Sequence, residues 1–122
     1  MNNIIWEEVS MQIILHGGNA RAAAYDAASF ARKGDIAEAE KALLEAEKEI
    51  QEAHHIQTQA IQNCNVQQNI STPLIMVHAQ DHLMTAMAEK NLIMELIHLY
   101  KKFYEQEEKL SRYFTAKTGD QT

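Results

Sequence analysis

Glycine and proline are scarce, with four and one in 122 residues, far below the roughly 12% of an ordinary chain. A β-sandwich or barrel, which needs turn residues at every hairpin, is excluded on that ground. Cysteine is represented by Cys64 alone, so no intramolecular disulfide can form. No basic, then apolar, then small-residue signal segment opens the chain, and a reducing cytoplasm fits both facts. Long hydrophobic runs are missing as well. His, Gln, Asp or Lys breaks each apolar stretch within about ten residues, whereas a bilayer helix needs about twenty, so a soluble protein with no direct membrane insertion is expected. Positive charge is also short. Eleven Lys and Arg against seventeen Asp and Glu leave a net charge of −6, with no basic stripe to neutralise a phosphate backbone, and nucleic acid is excluded as a partner.

What is present is helical periodicity in a chain sized for one domain. Punctuation falls at Lys33-Gly34-Asp35 and in the polar stretch Asn63 to Thr72. These breaks predict three helices, over about 3–32, 36–63 and 73–112, in a single domain of residues 1–114 followed by a disordered tail over 115–122. The first helix carries Val9, Ile13, His16, Ala20, Ala24 and Ala27 at three- and four-residue steps, and its alanine-rich second half predicts a smooth surface for close approach. Gly34 suits a left-handed helix end, and Asp35 with Glu38 three residues later has the form of a capping box. The second helix sets Ala39, Ala46, Ile50 and Ala53 against a charged face from Glu40 to Glu52. Residues Asn65 to Ile70 are expected as a loop, with Ser71 or Thr72 capping a third helix whose first position is Pro73.

Three long helices with short links make an all-α, antiparallel, up-down-up bundle. The third helix departs from a one-sided pattern. Leu74, Ile75, Met76, Val77, Ala79, Leu83, Met84, Ala86, Met87 and Ala88 surround its axis, and two partner helices cannot cover all of it. A homo-oligomer with this helix at its centre is therefore expected. The methionines Met76, Met84, Met87 and Met94 are expected as core filler.

Within that apolar stretch His78, Asp81, His82 and Thr85 fall within about a 100° arc, with Leu74 and Leu92 continuing the stripe on either side. A buried polar group left unpaired costs about 1 to 3 kcal/mol, so four on one face require a reason. Three readings are open: satisfied core histidines with a partner carboxylate; a metal site built on two His at i and i+4; or a nucleophilic imidazole, whose neutral form offers a lone pair that can attack phosphorus.

The run Val77-His78-Ala79-Gln80-Asp81-His82-Leu83-Met84-Thr85-Ala86-Met87 resembles the signature of the enzyme IIA component of the lactose/cellobiose-type sugar phosphotransferase system. Ile13-Ile14-Leu15-His16-Gly17-Gly18-Asn19-Ala20-Arg21 and Ala53-His54-His55-Ile56-Gln57-Thr58 agree with the same family, and the likeness spans about residues 10 to 104. The resemblance implies a cytoplasmic phosphoryl carrier working through a phosphohistidine. His78 would accept phosphate from the histidine phosphocarrier protein and pass it to a cysteine of enzyme IIB during uptake of a lactose-, cellobiose- or chitobiose-type disaccharide. It also implies a homotrimer with Asp81 near the threefold axis, associated with a divalent metal such as Mg2+. His82 would then support the phosphoryl group or orient the attacking ring. Gln80, about 160° from His78 around the helix, would assist only if a neighbouring subunit or a bend brought it round. A non-catalytic oligomeric helical module and a small metal-binding bundle are the alternative functions. His16, His54 and His55 are expected to be structural, His98 to lie on a surface or interface, and Arg21 to meet either a phosphate or a carboxylate.

Overall fold

The computed structural model describes residues 5–63 and 73–119. They form three α-helices: α1 over Trp6–Arg32, α2 over Ile36–Gln62 and α3 over Leu74–Gly119. The fold is all-α, and cross-helix contacts set its directions. Ser10 meets Met76 and Arg21 meets Glu89, so α1 and α3 run the same way, whereas His16 pairs with Glu49 and Lys101 with Glu40, so α2 runs against both.

The α1–α2 turn is built from local chemistry. Gly34 sits at φ +90°, a conformation costing other L-residues roughly 1–2 kcal/mol. Its N–H donates to the Ala31 carbonyl and the Asp35 N–H to the Phe30 carbonyl, the paired closure of a Schellman helix end. The Asp35 carboxylate then accepts from the Glu38 N–H at 3.3 Å and caps α2. The reciprocal half of the expected capping box is not made, because the Asp35 N–H is already committed to Phe30.

Side-chain size decides how closely the helices pack. Ala20, Ala24, Ala27 and Ala31 of α1 are wholly buried, as are Ala39, Ala46 and Ala53 of α2. One core cluster joins Ile13, Ile50, Met76 and Leu83 near the start of α3, and a second joins Ile93 and Ile97 to the alanines higher in the bundle. At Gly17 the α1 backbone passes directly behind the site. An added Cβ would lie 3.8 Å from the His82 carbonyl group and the Leu83 nitrogen, an ordinary van der Waals distance. Gly17→Ala is therefore expected to stabilise by roughly 0.5–1 kcal/mol through its helix propensity, read as a thermal midpoint raised by a few degrees; a lowered midpoint would show that this approach has no room for a methyl.

Two expectations change. The third helix does not stop at 112 before a disordered tail over 115–122; it continues through Gly119. No glycine or proline interrupts Thr115 to Thr118. Arg112 pairs with Glu108 one turn back, Lys117 lies over the Tyr113 ring, and the Thr118 hydroxyl donates to the Phe114 carbonyl. Met84 is no core filler: it is 62% exposed, while Met76 is buried. The expected loop over Asn65 to Ile70, the caps Ser71 and Thr72, and Cys64 lie outside the described residues. Among the described residues, no helix is long and apolar enough to cross a membrane.

Candidate functional site

The site stands on the second turn of α3. The Pro73 carbonyl accepts from the Met76 and Val77 N–H groups, which starts the helix and places His78 and His82 one above the other. Met76, Ala79, Leu83 and Ala86 turn into the core. This anchors the register of α3 and leaves the residues between them facing outward. The histidine Nε2 atoms are 3.1 Å apart, and the rings meet edge to face with centroids 4.5 Å apart at 86°.

That contact fixes the proton arithmetic. One Nε2 must carry a hydrogen and the other a lone pair, so two imidazolium rings cannot hold it. With both rings neutral, the donor ring keeps a free lone pair on Nδ1, and the acceptor ring carries its proton there. Either assignment leaves one nitrogen lone pair and one N–H within a single turn, which suits nucleophilic attack followed by hydrogen bonding to an arriving anion. His78 is exposed, His82 is half-buried and Asp81 is exposed. Leu74, Ile75, Val77, His78 and Asp81 line a shallow concavity, so His78 is accessible to a docking macromolecule in the single chain.

The structure unites His78, Asp81 and His82 on one face and leaves Gln80 off it. Gln80 is half-buried, and two helical residues turn its side chain away from the His78 ring. Among the described residues, His78, Asp81 and Thr85 of the polar stripe are exposed and His82 is half-buried, so the stripe is not enclosed in a helix contact. α1 and α2 cover the opposite side of α3, while Leu74, Val77, Met84, Leu92, Leu96 and Leu99 stay exposed around and above the histidines. Among the described residues, no group of three His, Cys, Asp or Glu could hold a metal ion. The direct His78–His82 bond escaped the sequence reading, although the i, i+4 spacing was the available signal.

Of the remaining candidates, His16 and Arg21 make pairs between helices. His16 pairs with Glu49 at 2.6 Å across α1 and α2, with the Asn19 amide on the same carboxylate. His54, His55 and His98 are exposed. Arg21 meets a carboxylate: its Nε and Nη2 donate to the two oxygens of Glu89, both at 3.0 Å. The hydrogen bond from Arg21 holds the Glu89 carboxyl below its ordinary range, Tyr25 assists, and burial opposes the shift without reversing it.

A carboxyl depressed in the folded state stabilises fully above its unfolded pKa, about 4.3, and that stabilisation is lost as pH falls through the folded value. Glu89→Gln is therefore expected to lower the thermal midpoint at pH 7 and to flatten its decline below about pH 4.3. An acid limb with unchanged slope in the variant would show that the pair carries none of it.

Comparison with known proteins agrees with this geometry. The family described as "PTS system, Lactose/Cellobiose specific IIA subunit" matches residues 8–101. The lichenan-specific phosphotransferase enzyme IIA component of Bacillus subtilis is 49% identical over 82% of this chain and 91% of the relative. The crystal structure of the cellobiose-specific enzyme IIA from Bacillus anthracis superposes with a TM-score of 0.77 at 41% identity, covering 85% of this chain and 95% of that one. The IIA(Chitobiose) protein of Escherichia coli, solved in complex with HPr, superposes with a TM-score of 0.74 at 38% identity, covering 84% of this chain and 99% of that one. An all-helical bundle with an accessible histidine pair on α3, matched over most of its length by such relatives, belongs to the lactose/cellobiose-specific IIA family of the phosphotransferase system.

Proposed function

We propose that this chain is a cytoplasmic phosphoryl carrier that accepts phosphate on His78 from the histidine phosphocarrier protein and passes it to a cysteine of an enzyme IIB during disaccharide uptake. The observation that carries the residue assignment is the contact of two outward-facing imidazoles through their Nε2 atoms at 3.1 Å. The relative captured in complex with HPr supports the first partner.

The chemistry is a pair of displacements at phosphorus. A lone pair on neutral His78 forms a P–N bond as the P–N bond of the donor histidine breaks, and the donor leaves as a neutral imidazole. In the second step a cysteine thiolate of the IIB partner forms the P–S bond while the His78 P–N bond breaks. Such transfers depend on alignment and on stabilising the equatorial phosphoryl oxygens more than on acid–base chemistry. His82, one turn away, supplies an N–H for those oxygens when His78 is engaged. Gln80 is assigned a supporting contact only across a subunit boundary.

The exposed stripe on α3 supports assembly as a homotrimer, with His78 in the seam between copies. Asp81, on the same stripe, then approaches its equivalents, and its hard oxygen donors suit Mg2+. A divalent ion bound there would neutralise the converging carboxylates, and the phosphoryl steps do not pass through it. Incubation with the general phosphotransferase proteins and phosphoenolpyruvate, followed by intact-mass analysis, is expected to add one acid-labile phosphoryl group per chain. No uptake, with those proteins active on another acceptor, would reject the carrier assignment.

A further inference from the structure

We infer that the distal part of α3, from Leu96 to Tyr113, is a parallel coiled-coil stalk that joins copies of this chain beyond the three-helix bundle; the number of strands rests on the homotrimer proposed above. The first observation is length. α3 has 46 residues against 27 each in α1 and α2, and among the described residues the last cross-helix hydrogen bond along α3 is the Tyr104 hydroxyl donating to the Arg32 carbonyl. From Tyr104 to Gly119 there are 119 − 104 = 15 rises, or about 22 Å of helix projecting past the bundle. The family match ends at residue 101, so the projection lies outside it. An isolated helix of that length is marginal in water.

The second observation is the spacing of exposed apolar groups. Leu96, Leu99, Phe103, Leu110 and Tyr113, with Gln106 between, advance by alternate steps of three and four, and all six are exposed. Leu99 is 64%, Phe103 59% and Leu110 56% exposed. That is a heptad seam with Leu96, Phe103 and Leu110 at a and Leu99, Gln106 and Tyr113 at d. It continues, within about 60° of arc, the line of Leu74, His78, Asp81, Thr85 and Leu92. Ile93, Ile97 and Tyr100, which face the bundle, lie on a different side.

The third observation is charge, and it selects the orientation. The seam is flanked by Glu95, Lys102 and Lys109 at g, and by Tyr100, Glu107 and Phe114 at e. In a parallel, in-register arrangement, g of one chain meets e of the next, five residues on. Lys102 then opposes the partner's Glu107, and the Lys109 ammonium faces the ring of the partner's Phe114. An antiparallel arrangement sets e against e and g against g, placing Glu107 against its own copy and lysine against lysine. Gln106 supplies a single polar layer, a device that fixes register.

The test uses the full chain and sedimentation equilibrium. Leu110→Asp, remote from the bundle core, is expected to weaken self-association at least tenfold. Lys102→Glu and Glu107→Lys are each expected to weaken it, and the double variant to restore it. In a Cys64→Ser background, Leu99→Cys and Tyr113→Cys are each expected to give a disulfide between copies on mild oxidation. A full chain that still forms trimers, with an association constant unmoved by Leu110→Asp and by the charge changes, would overturn the stalk and leave the homotrimer standing. A full chain that is monomeric at micromolar concentration would overturn both. Cross-linking only when the two cysteine variants are mixed would overturn the parallel arrangement.

Discussion

His78→Ala is expected to abolish acid-labile phosphate uptake completely, because no other group on that face presents an imidazole lone pair to a docking protein in the same way. His82 is half-buried, backed by the α1 backbone at Gly17, and tied to His78 through its Nε2. Since the two rings share one hydrogen bond, the variants should separate their roles. His82→Ala retains the nucleophile and loses a donor and an orienting contact. Its expected effect is a transfer rate lowered by about ten- to a hundredfold, in keeping with loss of positioning and one charge-assisted hydrogen bond. A rapid-quench measurement of phosphoryl transfer from the histidine phosphocarrier protein reads both. Phosphate retained in His78→Ala but lost in His82→Ala would exchange the two assignments. Neither ring belongs to a core cluster, so circular dichroism should be unchanged.

How much of this was legible in the sequence depends on which interactions are local. The α1–α2 turn could be read because its determinants lie within nine residues: Gly34 tolerates positive φ and Asp35 accepts from an N–H three residues on. The alanine stripe of α1 was equally plain, since burial at every third or fourth position is a property of one helix. Arg21 was ambiguous because phosphate and carboxylate both offer a guanidinium two acceptor oxygens for a bidentate pair, and only the register of α1 against α3 brings Glu89 within 3.0 Å. The end of α3 was misjudged because the polar Thr115 and Thr118 are weak helix formers, although Ala116 and Lys117 favour a helix and side-chain contacts one turn back, at Glu108, Tyr113 and Phe114, support it. Met84 was misplaced for a different reason: an apolar side chain on an apolar helix does not announce which of two faces the rest of the same chain will cover. The partial burial of α3 is the structural form of that ambiguity.

The largest effect on assembly is expected at Asp81. Three carboxylates brought together on an axis would repel by about 4 kcal/mol per pair at 4 Å and an effective dielectric near 20. Even one such term is a factor of roughly 1,000 in an association constant, large beside the stability of a typical domain. The stripe that flanks Asp81 is apolar both below, at Leu74, and above, at Leu92, so contact between copies there draws the carboxylates together while removing the water that would screen them. Removing divalent ions with a chelator at pH 8 is therefore expected to weaken trimer formation by at least two orders of magnitude, and added Mg2+ to restore it. Asp81→Asn, similar in size and without charge, is expected to form trimers whose stability no longer responds to chelator or to Mg2+. Sedimentation equilibrium reads both, and isothermal titration of Mg2+ into the trimer reads the ion directly as one site per three chains. A wild-type trimer indifferent to chelator at pH 8 would place the carboxylates apart from one another, and with them the stripe that His78 shares. In that event the seam would have to close on a different face of α3, and the accessibility of His78 in the assembled protein would need to come from the single chain's exposure alone.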